Sequence, residues 1–321
     1  MTNADNPRVL VLAGGLSHER DVSLRSGRRV AQLLRDGGLD VEVRDLDPEL
    51  LPALSADPPD VVFPLVHGST GEDGSIRALL ELLDIPYVGS TSAACRLASR
   101  KPVAKELVAA AGVATPPFVT FPRGLFTEIG SSEVLATAVA GVGLPLVVKP
   151  EDGGSALGVT VVTRAEDLPE AMVSCFSYGN AALVERAVTG TEVAVSVVDL
   201  GDGPVALPPV EIVTEGPYDY DARYNAGRTE YFVPARLDED TTAVAARAAV
   251  AAHEALGLRD LSRTDLIVDE NGTPWFLDMN VAPGMTETSL FPQSAQAWAA
   301  GGGPSFTELV TTLVRQAAAR G

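Results

Sequence analysis

Cysteine is scarce in this 321-residue chain, with only Cys95 and Cys175 present. Two cysteines are too few for a disulfide framework, and these have no metal-ligand spacing, so a buried, inert role is expected for both. Long apolar runs are also missing. None reaches membrane-spanning length, and the opening MTNADNPRV lacks the charged and apolar regions of a signal peptide. The expectation is a cytoplasmic protein that meets no membrane. Positive charge is short as well: 24 Lys and Arg stand against 43 Asp and Glu, a net charge of −19. Nonspecific binding to nucleic acid is thereby disfavoured. Lysine is the scarcest cation, found only at Lys101, Lys105 and Lys149. A compositional drift toward arginine accounts for much of this. Where a lysine survives such a drift, its compact, strongly hydrated charge is expected to matter. No internal repeat or low-complexity tract is visible.

What is present is ordinary for a soluble globular enzyme, with 46% hydrophobic and 21% charged residues, and the length suffices for two or three domains. Short apolar strands at 8–13, 41–46, 60–68 and 85–90 alternate with helical patterns at about 22–35 and 74–84. That alternation predicts a doubly wound parallel sheet covered on both faces. Ligands of such sheets bind beyond the carboxyl ends of the strands, where the Gly14-Gly15 and His67-Gly68 loops fall.

A helix at about 99–111 and the proline-bearing ATPPFVTFP read as a hinge into a second unit. It comprises strands at 118–121, 144–150, 159–163 and 182–188, helices at 132–140 and 166–176, and the glycine loop EDGGSALG at 151–158. TEVAVSVVD (191–199) alternates strictly and predicts a half-buried antiparallel strand. The polar, tyrosine-rich residues 214–232 read as a long surface loop, a length usually associated with lids or disorder. A helix at 239–256, a hairpin at 262–281 and a terminal helix follow, the last opened by a Ser305/Glu308 capping box.

The hairpin carries the first chemical signal. Asn271-Gly272 favours a two-residue turn, which puts Glu270 opposite Thr273, Asp265 opposite Asp278 and Arg263 opposite Asn280. The period of two then sets all four of these last side chains on one face. Facing carboxylates repel unless something positive lies between them. Asp265, Asp278 and Asn280 offer only oxygen ligands, which suit Mg²⁺ that keeps waters and bridges phosphates, although the same pattern also fits a solvated sheet face. Lys149 ends an apolar strand, and the glycine loop behind it can open backbone N–H groups to a phosphate. It lacks the Gly-Lys-Ser/Thr of a P-loop, and by itself such a loop is only a turn. LVERAV at 183–188 offers strand backbone for an adenine, or is simply an edge strand, and Glu192 is placed to take a ribose.

Taken in order, GGLSHERDVSLRSG (14–27), HGSTGEDG (67–74), KPEDGGSALGV (149–159), YDYDARY (218–224), RTD (263–265) and DMNVAPGMTETSLFP (278–292) resemble the motifs of the D-alanine–D-alanine ligases, members of the ATP-grasp superfamily. The resemblance spans nearly the whole chain. It implies an α/β (α+β) ATP-grasp fold, with a substrate-binding domain at 1–100 and two α+β subdomains, 101–188 and 189–321, enclosing ATP. It also implies that ATP activates one D-alanine as an acyl phosphate, which the amine of a second D-alanine attacks. Lys101 and Lys149 would hold ATP phosphates, with Arg223 in the lid. Glu185, the Arg186–Val188 backbone and Glu192 would bind adenosine. Asp265, Asp278 and Asn280 would carry two Mg²⁺ ions, with Mn²⁺ as a substitute. Glu19 would hold the first ammonium, with His67 near the reacting groups. Arg263 and the Gly284 N–H would stabilise the tetrahedral oxyanion, and Ser289 and Leu290 would take the second carboxylate. Ser155 and Tyr224 would join Glu19 in closing the lid. A homodimer active in peptidoglycan precursor synthesis is implied.

Four positions depart from the family pattern. Asp278 stands where the family usually has Glu, Ala156 where it has a second serine, Arg223 where it has the lid lysine, and Arg100 where an acid precedes Lys101. They leave open an ATP-grasp ligase for another amino-acid pair, and a nucleotide-binding relative without catalysis. Against the latter stand Glu19, Arg263 and Asn280. D-alanine–D-lactate ligases of vancomycin resistance lack the lid tyrosine; Tyr224 here points to dipeptide formation.

Overall fold

The structure is a computed structural model that describes residues 6–214 and 228–321. Its first sheet is built from β1 (Arg8–Leu12), β2 (Asp40–Arg44) and β3 (Val61–Pro64), parallel and ordered β2-β1-β3. Alternation within the strands assigns each face a cover. Val9, Val11, Val61 and Phe63 pack with residues of the helices Arg20–Asp36 and Phe306–Ala318. Leu10, Leu12 and Val62 pack toward Leu50–Ala56 and Ser75–Leu82. Burial on both faces is what a parallel sheet requires. Residues 85–90 make one parallel bridge, Val62 to Tyr87, rather than a strand. Pro86 has no N–H to extend the ladder, and Gly89 turns the chain away at φ 103°.

The second sheet holds β4 (Phe118–Pro122), β5 (Leu146–Pro150), β6 (Thr160–Val162) and β7 (Ala181–Arg186) in the order β4-β7-β5-β6, antiparallel throughout. The helices Ser131–Val142 and Leu168–Cys175 supply its core. The third sheet is also antiparallel: β8 (Thr191–Asp199), β9 (Pro204–Ala206), β10 (Val210–Thr214), β11 (Thr229–Phe232), β12 (Leu261–Val268) and β13 (Pro274–Asn280). Its order is β11-β10-β8-β12-β13, with β9 on β8. Both cysteines are buried and unpaired, and burial pushes the Cys175 thiol up to about 12.

Several expectations need correction. The strand β8 is buried on both faces from Val193 to Val198, not half-buried. Val193, Val195 and Val197 face the core with the helix Glu239–Ala255, while Ala194 joins Val210, Ile212 and Leu290 on the other side. Residues 229–232 of the expected loop pair with β10 as β11. The helix expected at 99–111 forms as Lys101–Ala110, and a further helix, Ser92–Ser99, ends just before it. Pro102 fits only a first helical turn, so a helix has to restart at Lys101. The terminal helix, Phe306–Ala318, carries the expected Ser305/Glu308 capping box, and a further helix, Leu290–Ala300, precedes it. Among the described residues no single helix is long and apolar enough to cross a membrane.

The hairpin turn also differs. Val268 pairs with Pro274, and Asp269 Oδ1 accepts from the N–H groups of Asn271 and Thr273, closing a longer loop than Asn-Gly demands. Continued along the strands, that loop would misalign the site by one residue. A register shift between Asp265 and Leu266 restores it, so Arg263 lies opposite Asn280 and Asp265 opposite Asp278 as expected. Such a shift is a β-bulge, with Leu277 as the extra residue.

Candidate active site

A cavity of about 1070 Å³ opens among the three sheets, and every residue given a ligand-binding, metal or catalytic role from the sequence lines it, apart from Tyr224 and Arg223. Those two lie outside the described residues. The walls come from the carboxyl ends of β1 and β3, the glycine loop, the end of β7, and the β12–β13 face.

At the first wall, Glu19 immediately precedes the helix Arg20–Asp36. A carboxylate there is favoured by the helix dipole. It reaches across the cavity, where the Ser155 hydroxyl donates to Glu19 Oε1. Ser155 and Ala156 both hold positive φ, 52° and 55°, between Gly153 and Gly158. That left-handed pair folds the loop over the acids: a Cβ on Gly154 would sit 3.9 Å from Glu19 Oε2 and 4.0 Å from Glu72 Oε2. His67 follows β3 and is buried, with Nε2 3.2 Å from Ser26 Oγ. Burial pushes its pKa down against the attraction of Glu19, so the imidazole is neutral at pH 7.

Two residues of this wall were not anticipated. Ser26 Oγ accepts from Met285 N at 3.0 Å, tying the helix Arg20–Asp36 and His67 to the Pro283-Gly284 turn. Its signal was available in the sequence, as a serine on the apolar face of an amphipathic helix. The second is Glu72, whose Oε1 accepts from Gly68 N at 3.1 Å. Burial, and then the charge of Glu19, push the Glu72 carboxyl up to about 8. The native protein therefore holds this proton where the unfolded chain releases it. Stability from this group is present below the ordinary carboxylate range and is lost as pH rises through about 8. In the ligand-free protein, Glu72→Gln should match the parent in melting temperature at pH 5. At pH 9 it should exceed the parent by several kcal/mol, since each pH unit between the ordinary carboxylate pKa and about 8 is worth about 1.4 kcal/mol. Equal melting at both pH values would show an ordinary carboxyl.

On the β12–β13 face Arg263 is nearly buried and grips Asp265, Nε to Oδ1 at 2.7 Å and Nη2 to Oδ2 at 2.9 Å. Lys101 Nζ lies 3.5 Å from Asp278 Oδ2 and donates to Gly153 O at 2.6 Å. The two facing carboxylates thus have the cations that their opposition requires. Asn280 Oδ1 accepts from Ala282 N at 2.9 Å. Among the described residues no three His, Cys, Asp or Glu side chains gather around one metal position. Two carboxylates and an amide oxygen nevertheless suit a hard divalent cation that keeps waters and takes phosphate oxygens. The Pro283-Gly284 turn ends the face. A Cβ on Gly284 would fall 2.8 Å from Ser289 Oγ, so a side chain there would have to displace the Ser289 hydroxyl. Ser289 stands just before the helix Leu290–Ala300, its Oγ accepting from Thr286 N at 3.1 Å.

The nucleotide wall differs from expectation. The strand β7 is central, not an edge: Glu185 pairs with Phe118 on one side and Val147 on the other. Arg186 N donates to Pro117 O and Ala187 N to Pro145 O, so these two donors are taken, while Arg186, Ala187 and Val188 all line the cavity. Glu192, on β8 opposite Ile267, also lines the cavity. Glu185 itself is buried, 2.6 Å from Lys149 Nζ and 2.8 Å from Lys105 Nζ. Burial would raise its carboxyl, but Lys149 and Lys105 outweigh it and hold it below the usual carboxylate range. Two of the chain's three lysines therefore share one buried carboxylate, and the third, Lys101, lines the same cavity as Lys149.

Comparison with known proteins agrees with this geometry. A family model described as "D-ala D-ala ligase C-terminus" matches residues 107–315, and one described as "D-ala D-ala ligase N-terminus" matches residues 49–90. A D-alanine–D-alanine ligase of Anaeromyxobacter sp. (strain K) is 42% identical over 319 residues, 99% of each chain. That of Pelotomaculum thermopropionicum is 39% identical over 320 residues, covering 97% of this chain and 96% of its own. Among solved structures, the VanG D-Ala:D-Ser ligase of Enterococcus faecalis superposes with a TM-score of 0.81 at 27% identity, covering 97% of this chain and 99% of its own. The D-alanine–D-alanine ligase of Bacillus anthracis does so with a TM-score of 0.79 at 27% identity, covering 98% and 97%.

Proposed function

Because the chain belongs to the D-alanine–D-alanine ligase family, we propose that it joins two D-alanine molecules at the expense of ATP. ATP phosphorylates the carboxylate of the first, forming an acyl phosphate and ADP. The amine of the second attacks that carbonyl, and the tetrahedral centre collapses with loss of phosphate. The dipeptide serves peptidoglycan precursor synthesis. The observation that carries this reading is the convergence, in one cavity, of the Glu19–Ser155 contact, the Lys101–Asp278 pair and the Arg263–Asp265 pair.

In this reading Glu19 orients the first ammonium, and Ser289 and Leu290 receive the second carboxylate. Arg263 and the Gly284 N–H face the developing oxyanion, where preorganised donors act most strongly. Lys101 and Lys149 meet the phosphates, with Arg223 joining them, while Glu185, Arg186, Val188 and Glu192 form the adenosine wall. Neutral His67 lines the reacting groups, and Tyr224 completes the Glu19–Ser155 closure. Asp265, Asp278 and Asn280 would hold two Mg²⁺ ions, or Mn²⁺, which neutralise charge on the transferring phosphoryl group. The three-unit division at 1–100, 101–188 and 189–321 is supported by the sheets, each of which falls within one span. Family membership and composition support a cytoplasmic homodimer.

The test is product analysis by mass spectrometry with MgATP and D-alanine, D-serine and D-lactate offered singly and in pairs. D-alanyl-D-alanine should dominate at neutral pH, with phosphate released in equal amount. Depsipeptide formed as readily as dipeptide, or a D-alanyl-D-serine majority when D-serine competes equally, would move the protein to the other amino-acid pair.

A further inference from the structure

Lys105 has no part in the function argued so far. It sits on the helix Lys101–Ala110, one turn beyond Lys101, and is fully buried with no face on the cavity. Its ammonium lies 2.8 Å from Glu185 Oε2, donates to Phe276 O at 3.3 Å and stands 5.4 Å from the centre of the Phe118 ring. Lys149 takes the other oxygen of the same carboxylate, Oε1 at 2.6 Å, donates to Leu277 O at 3.2 Å and does line the cavity. The two ammonium groups thus divide one carboxylate and hold consecutive carbonyls of β13, directly before Asp278. Stability does not explain such an arrangement, since a buried ion pair can often be replaced by apolar residues without loss. Its charge does have an electrostatic consequence. Two cations and one anion leave a net positive charge behind the cavity wall, whereas Lys149 and Glu185 by themselves would form a closed, neutral pair. Burial brings the Lys105 amine down to about 8, still above neutrality, so the charge is present at pH 7.

We propose that Lys105 is a positioning residue for nucleotide binding: by offsetting the charge of Glu185 it weakens that carboxylate's hold on Lys149 and so leaves Lys149 available to polyphosphate. This rests on the reading that Lys149 meets the nucleotide's phosphates. The probes are ATP and adenosine, titrated by calorimetry into the full chain. Lys105→Met should weaken ATP at least about tenfold, the scale of one charge-assisted contact, and leave adenosine within about twofold. In a Glu185→Gln background, with no carboxylate left to close on Lys149, the same change should weaken ATP by less than about threefold. Lys105→Gln, which keeps a donor but no charge, should follow Lys105→Met and serves if the methionine variant does not fold. Unchanged ATP affinity, or equal loss for ATP and adenosine, would overturn the proposal, as would loss of folding in both variants, because a structural role would then suffice. Lys149→Ala separates the two readings. If it weakens ATP roughly 10–150-fold while Lys105→Met does not, only the positioning role fails. If Lys149→Ala is itself silent, the phosphate assignment fails.

Discussion

Asp278→Asn should cut phosphoryl transfer by roughly 10²–10³ or more, the scale seen when one preorganised electrostatic group is removed, while leaving the fold intact. The change is nearly isosteric. Asp278 Oδ1 accepts from its neighbour Met279 N at 2.9 Å, a bond the asparagine oxygen can keep. The side chain is 34% exposed, so no core depends on it. What disappears is the charge that Lys101 now faces at 3.5 Å and that a metal would need. Single-turnover transfer from labelled ATP, beside a melting curve, separates the two effects, and a variant keeping a tenth of parental transfer would remove Asp278 from the metal face. Length matters as well as charge. Aspartate reaches about 1.3–1.5 Å less far than the family's usual glutamate, and Mg²⁺ tolerates little departure from about 2.0–2.1 Å. A weaker second metal site should make parental activity keep rising with Mg²⁺ beyond saturation of MgATP. Asp278→Glu should move that rise to lower concentration. Parental saturation by MgATP alone together with an inactive Asp278→Glu would show that the strand is built around the shorter acid.

Arg263→Met is expected to lower kcat by roughly 10²–10³ while changing ATP affinity little if, as proposed, the guanidinium meets charge that develops only in the transition state. The same variant should gain in another measurement. Arg263 holds both oxygens of Asp265 in the ligand-free protein. Without it, Asp265 faces Asp278 with one fewer cation, and nucleotide-free Mg²⁺ should bind more tightly by calorimetry. Loss of activity with unchanged or weaker metal binding would mean that the arginine does not compete for that carboxylate.

The β12–β13 face shows how far the sequence could be read. A two-residue Asn-Gly turn sets Asp265 opposite Asp278, yet the real turn is longer and a bulge cancels the resulting shift. Two local errors of opposite sign left the pairing correct. Side-chain alternation carries the information about which face is functional, and a turn dipeptide carries less. The LVERAV strand failed for the opposite reason. Its apolar run with one charge fits an edge or a centre equally, and the partner strands that decide between them are remote in sequence. Lys105 was likewise out of reach. Lys101 and Lys105 are visibly one helical turn apart, but a buried acid three strands away is not visible from that spacing. The burial of β8 on both faces depended on a second helix, Leu290–Ala300, whose approach no local pattern announces.

The gathering of the lysines has a practical consequence for chemical modification. Every side-chain amine in this protein is inside it: the Lys105 side chain is 0% exposed and those of Lys101 and Lys149 are each 8% exposed. The outer surface draws its positive charge from arginine, which amine-directed acylating reagents leave untouched. Apart from the chain's own α-amine, a small reagent of that kind can react only by entering the cavity. An isotope-coded acyl group appearing on Lys101 or Lys149 is therefore a reading of vacancy, and its exclusion a reading of occupancy, without any engineered tag.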